Sequence, residues 1–180
     1  MSHFVLFLPV FISCIKAHYT DGRGLALDQG LIVVNMNYRL GTLGFLSGID
    51  DDHRGNFGVR DQQMAIEWVY RNIEYFGGDK DRITIFGCSA GGRSVGAQVM
   101  SPYNEGKLFG AIGQSGDGSS DLMWDFHADE NRNQVFKALK CEDEATRLSC
   151  LRSKTMRSVL IGQIDLSSDW SAIQNIKPKK

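Results

Sequence analysis

Gly87-Cys88-Ser89-Ala90-Gly91 follows directly on the β-branched run Arg82-Ile83-Thr84-Ile85-Phe86, and this junction constrains the fold more than any other segment. A G-x-S-x-G run in that place describes a strand that enters a helix through a very tight turn. The central serine is then held in a strained backbone conformation, with its hydroxyl projecting from the top of the sheet. Gly87 and Gly91 are required to be small, because a Cβ at either would collide as the helix folds back past the strand. The backbone N–H of Ala90 points to where an acyl oxyanion would form.

The pattern alone is weak in a chain with 20 glycines in 180 residues. Gly92-Arg93-Ser94-Val95-Gly96 matches it again almost at once. Context separates the two: Ser89 follows the alternating Ile83, Ile85 and Phe86, whereas Ser94 falls inside the next segment as one more residue of a helix. Phosphate loops and dinucleotide sites share the strand, glycine turn and helix. Here no Gly-Lys-Ser/Thr follows, and the third glycine is not spaced as a dinucleotide fingerprint requires.

Leu31-Ile32-Val33-Val34-Asn35-Met36 has the length and continuous apolar character of a strand covered on both faces. From Asp61 to Phe76, the residues Ala65, Trp68, Val69, Asn72, Ile73 and Phe76 recur at helical spacing, and Gly77-Gly78 ends the helix. Ile83 to Phe86 is a second strand, and Phe109-Gly110-Ala111-Ile112-Gly113 a third. Strands alternating with helices predict an α/β fold, a mostly parallel sheet with helices on both faces and functional groups at the carboxyl ends of the strands.

The flanks of the elbow carry a more specific signal. Asn37-Tyr38-Arg39-Leu40-Gly41, Leu43-Gly44-Phe45-Leu46, Gly55-Asn56-Phe57-Gly58-Val59-Arg60-Asp61-Gln62-Gln63, Ala65-Ile66-Glu67-Trp68-Val69, Asn72-Ile73, Phe76-Gly77-Gly78-Asp79 and Ile83-Thr84-Ile85-Phe86-Gly87 stand in order. From about Asp21 to about Ser158 the chain resembles the type-B carboxylesterase and cholinesterase family. The resemblance implies an α/β-hydrolase fold, here incomplete, with the central strands only. It also implies a serine carboxylic-ester hydrolase in which Ser89 attacks the ester carbonyl and Ala90 N–H helps hold the oxyanion, through an acyl-enzyme. A small-molecule ester is the implied partner, and no metal or organic cofactor is implied.

Three departures from the family pattern bear on that expectation. The triad acid and histidine of the family lie beyond the stretch represented here; His3, His18 and His53 precede Ser89, and His127 stands in no family motif. The family's histidine-glycine loop for the oxyanion is replaced by Lys16-Ala17-His18-Tyr19-Thr20, so Ala90 is the one oxyanion donor carried over. These 180 residues by themselves are therefore not expected to turn over esters. Cys88 stands where the family usually has glutamate, and a neutral thiol does not favour a choline-like cation. The alternative is a non-catalytic, cholinesterase-like binding or adhesion module, or an inactive truncated product.

A hydrophobic content of 42% with a formal net charge of -1 suits one globular core and no nucleic-acid partner. The short basic end Lys177-Pro178-Lys179-Lys180 reads as a solvated terminus. The family resemblance implies a disulfide between Cys141 and Cys150, with two free thiols as the alternative; Cys14 and Cys88 have no evident partner. Residues 1–17 form an apolar segment, either signal-like or a sheet strand over Pro9 to Ile15, ahead of a partial carboxylesterase domain over 18–180. Its apolar run from Phe4 to Ile15 is too short to cross a bilayer, so no integral membrane segment is expected. A secretory setting is expected and a cytoplasmic one stays open; no N-x-S/T acceptor occurs, and the sequence sets no oligomeric state.

Overall fold

Four stretches pair into one parallel sheet: β1 (Ser2–Leu8), β2 (Ile32–Asn35), β3 (Gly78–Cys88) and β4 (Gly110–Gln114), in the order β2-β1-β3-β4. The computed structural model describes residues 2–8, 22–49, 53, 55–116 and 128–164. Parallel neighbours need a crossover between them. Helix α1 (Arg23–Gln29) lies between β1 and β2, α2 (Gly41–Phe45) and α3 (Phe57–Asn72) between β2 and β3, and α4 (Ala90–Val99) between β3 and β4. Helices α5 (Ala128–Ala138), α6 (Arg147–Ser153) and α7 (Met156–Ile164) follow.

The chain divides into two compact units, Met1–Tyr38 with Val59–Ser120 and Arg39–Gly58 with Asp121–Lys180. In the first, alternation decides which side of β3 is covered. Ile83 and Ile85 project to one face and are fully buried there against Ile66, Val69 and Ile73 of α3 and its extension and Val95 of α4. Each such side chain stabilises the fold by about 1.5–3 kcal/mol when fully buried. On β2, Ile32 and Val34 join the same cluster, so Val33 faces the other way, where it meets Gly22 at the start of α1. Helices α3 and α4 thus cover one face, and α1 lies against the other at Val33.

Details differ from the sequence-based expectation for physical reasons. The buried side of α3 that packs on the sheet is Ile66 and Val69, continued by Ile73, with Val59 and Gln62 buried against α4, whereas Trp68 is 50% and Phe76 62% exposed. Those two rings sit on the shoulder of the helix and pack on each other, centroids 5.9 Å apart. The apolar pattern was wider than the strip that β3 can cover. The helix tightens to a 3₁₀ turn over Ile73–Phe76 and ends at Gly77, φ 78°, whose N–H bonds back to Glu74 and Ile73. Gly78 is not a terminator but the first residue of β3, which is longer than Ile83 to Phe86. The third strand is displaced by one residue, to Gly110–Gln114, leaving Phe109 outside it.

An N-terminal strand is present over Ser2–Leu8, and the stretch Pro9 to Ile15 lies outside the described residues. Its register with β3, Phe4 with Ile83 through Leu8 with Gly87, makes it a central strand. Pro9, next in the chain, has no N–H to give a ladder. Residues 9–21 lie outside the described residues, including Cys14, His18 and the glycine-free segment Lys16 to Thr20; so does His127.

The second unit has its own small core of Leu46, Val135, Phe136, Leu139 and Cys141, with Ile49, Cys150, Leu151 and Val159 packed against it. Helix α5 gives way to a left-handed Lys140, φ 54°, where Cys141 N–H bonds to Phe136 O at 2.8 Å. That reversal delivers Cys141 to Cys150, and the two form a disulfide with Cα atoms 5.6 Å apart. The Arg147 guanidinium lies 4.3 Å from the Phe136 ring centre and closes the core from above. Among the described residues no helix is long and apolar enough to cross a membrane.

Closing so short a loop removes freedom chiefly from the unfolded chain, worth about 2–3 kcal/mol in the chain-entropy model. The double substitution Cys141→Ala/Cys150→Ala is therefore expected to lower unfolding free energy by about that amount in urea titration. Peptide mapping without reductant is expected to show the linked pair. Two alkylatable thiols at these positions would contradict the structure.

Candidate active site

Ser89 stands between the last residue of β3 and the first of α4, with φ 55° and ψ -117°. Such a backbone conformation costs a non-glycine residue of order 1–3 kcal/mol and persists only where its surroundings dictate it. Three close approaches of backbone do so. A Cβ on Gly87 would lie 2.5 Å from the C and O atoms of Gly91, so the strand end and the first turn of α4 touch as the sequence predicts. A Cβ on Gly92 would lie 2.6 Å from Gly116 O and 3.0 Å from Gln114 O, so the segment leaving β4 is pressed against the same turn. Across that contact the Ser89 N–H donates to Gln114 O at 2.7 Å.

The Ser89 side chain is half-buried, at the carboxyl end of β3. Ala90 is the first residue of α4, so its N–H is one of those that no intrahelical carbonyl can take, beside the positive end of the helix. Cys88, half-buried, is the free cysteine among the described residues and pairs with Gln114 in the strand register. Among the described residues, no group of three or more His, Cys, Asp or Glu is arranged to hold a metal ion.

Sequence reasoning passed over two features of the elbow. Gly92 and the segment Gln114-Ser115-Gly116 complete it, with Ser115 also at positive φ, 53°. Their signal was a glycine directly after another in α4, and one two residues past the end of β4. Neither has meaning until β3 and β4 are known to be neighbours.

Ser94, the serine of the second matching pattern, is 3% exposed, inside α4. Its hydroxyl accepts from Gln62 Nε2 at 3.1 Å. Gln98, one helical turn later and fully buried, donates from Nε2 to Gln62 Oε1 and to Val59 O, both at 3.0 Å. Asn104 Nδ2 in turn donates to Gln98 Oε1 at 2.8 Å and to Gln98 O at 2.9 Å. Tyr38 hydrogen-bonds to Ser94 and Gln62 from the other side, and burial pushes its phenol above the ordinary 10.0 although both bonds pull the opposite way. Ser94 is thus a member of a buried polar network behind the elbow, where an amide left unpaired costs about 1–3 kcal/mol.

The carboxylesterase family model matches residues 10–178. This chain belongs to the carboxylesterase family. Bile salt-activated lipase of Rattus norvegicus is 45% identical over 156 residues, which cover 82% of this chain and 24% of the relative. Acylcarnitine hydrolase of Rattus norvegicus is 42% identical over 147 residues, 81% of this chain and 26% of the relative. Pyrethroid hydrolase Ces2a of Mus musculus is 42% identical over 151 residues, again 81% and 26%. The chain spans about a quarter of the length of the curated relatives it matches. The family model covers the elbow, the buried network and the disulfide alike.

Two measurements follow from this geometry. Gly87→Ala forces a methyl into backbone that cannot turn aside, and overpacking of that kind costs about 1–3 kcal/mol or more; urea denaturation is expected to show a loss at the upper end of that range. Tyr38 is expected to ionise above the ordinary 10.0 in an ultraviolet phenolate titration read as the difference between the chain and Tyr38→Phe. Between the unfolded and folded values the unfolded chain has released the proton and the folded one holds it, so stability falls as pH rises through that alkaline window. Ionisation of Tyr38 at or below the ordinary 10.0 would show it to be solvated.

Proposed function

We propose that this chain carries the nucleophile centre of a serine carboxylic-ester hydrolase. The observation that carries the reading is the backbone of Ser89, a non-glycine residue at φ 55° between a strand end and a helix N-terminus. Ser89 Oγ attacks the ester carbonyl, the alcohol departs, and water releases the acid from the acyl-enzyme. The developing oxyanion is held in part by Ala90 N–H, and removal of one such donor typically slows a hydrolase about a hundred- to a thousand-fold.

The proton of Ser89 needs a base. In the family the histidine follows the serine in chain order, so His3, His18 and His53 are not assigned as the base, and His127, which stands in no family motif, lies outside the described residues. The relatives named above support hydrolysis as the reaction, and their names span lipid, acylcarnitine and pyrethroid substrates. A small-molecule ester is the class proposed. The thiol of Cys88, in place of a carboxylate, favours a neutral rather than a cationic alcohol portion. The disulfide persists in an oxidising compartment and supports a secretory setting.

The test is made on the protein as its source cells produce it, with short-chain aryl esters and a fluorophosphonate that labels activated serines. Ser89→Ala is expected to lower turnover at least several thousand-fold and to abolish labelling with folding intact. Ser94→Ala is expected to leave turnover within a few-fold. The reverse result would make the buried serine the nucleophile, and a folded protein without label or turnover would favour a binding module.

A further inference from the structure

We propose that the buried amides Gln98 and Gln62 are positioning residues for Ser89, locking α4 onto α3 in the one register that holds the elbow serine at its left-handed φ. The inference rests on reading Ser89 as the nucleophile. Three residues of α4 are glycine, so the helix brings little stability of its own. What fixes it is the face carrying Ser94 and Gln98, four residues apart and so on one side of the helix. Both are buried, and both bond to Gln62 of α3.

An apolar contact would tolerate a small slide or rotation of α4, because dispersion has no direction. The amide network does not. Gln98 Nε2 reaches Val59 O and Gln62 Oε1 together, while Gln98 Oε1 is occupied by Asn104 Nδ2. Gln62 then spends its own Nε2 on Ser94. A one-residue slip of α4 would strand these donors where each glutamine is fully buried. Gln98 is the hub, bonded to Val59, Gln62 and Asn104 together, whereas Ser94 links only Gln62 and Tyr38, so the glutamines hold most of the register. At the far end of the same helix, Arg93 N–H donates to Ser89 O at 3.1 Å and Ser89 N–H to Gln114 O at 2.7 Å, and these two bonds report directly on whether α4 is seated.

The experiment compares Gln98→Met and Gln62→Met with a core control, Ile73→Val, whose site lies in the same unit but outside the network. On the full chain, hydrogen exchange of the Ser89 and Arg93 amides is measured, together with the rate of Ser89 phosphonylation by a fluorophosphonate at a fixed interval below each Tm. Both glutamine variants are expected to speed exchange of those two amides at least ten-fold over the control and to slow phosphonylation by a similar factor. Either variant suffices if the other does not fold. Exchange and labelling no different from the control at matched Tm would reduce the network to ordinary core stability and overturn the proposal. Where the wild-type chain takes no label, the exchange comparison alone decides the positioning role, and the hydrolase reading stands or falls on the protein as its source cells produce it.

Discussion

The contact of Gly87 with the backbone of Gly91 sets the rest of the first unit. Strand β3 and helix α4 meet there with no side chain between them, and the residue spanning the gap has only a positive φ available to it. Everything nearby follows from that approach. Gly92 must be bare so that the exit of β4 can press on the same turn, and the parallel pairing of β4 with β3 brings Gln114 O to the Ser89 N–H. The strain at Ser89 is offset by this surrounding packing, which is why the residue keeps its positive φ on rigid backbone instead of a loose loop.

Glycine at the elbow has a cost that is met elsewhere. Each glycine in α4 costs about 1 kcal/mol relative to alanine, and the helix survives through burial of Val95 and through the amide network on its inner face. A purely apolar interface could be as stable, since replacing both partners of a buried hydrogen bond is often nearly neutral. Amides differ in having direction: donors and acceptors match in one alignment only. The outer face of α3 shows the opposite economy, with Glu67 shared by Lys107 at 2.5 Å and Arg71. Those ions hold Glu67 below the usual carboxylate range, Lys107 most, and add little stability in solvent.

The second unit solves a different problem. Its core is few in residues, and a disulfide joins the end of α5 to α6 where burial alone is modest. Cys141 is itself among the buried core residues, so the bridge is part of the packing as well as a tether. Phe136 is fully buried beneath Arg147, giving the guanidinium a ring face to rest on while its stem covers apolar surface.

The sequence by itself determined what local chemistry enforces. Gly87, Ser89 and Gly91 specified the elbow because a tight strand-to-helix turn admits few residues, and β-branched alternation specified β3. Ordered blocks from Asn37 to Gly87 specified the family, whose resemblance implied the pairing of Cys141 with Cys150 that the structure then showed over two free thiols. Tertiary structure decided what depends on contact at a distance. It placed the first strand at Ser2–Leu8 in the middle of the sheet, since strand order is set by partners and not by local pattern. It left Trp68 and Phe76 at the surface, because the width of an apolar stripe says nothing about how much of it a neighbour covers. It joined Gln62 to Ser94 and Gln98, 32 and 36 residues apart in the chain, into one buried network. Polar residues carry no hydrophobic period to announce burial, and only the fold brings together the partners that make their burial possible.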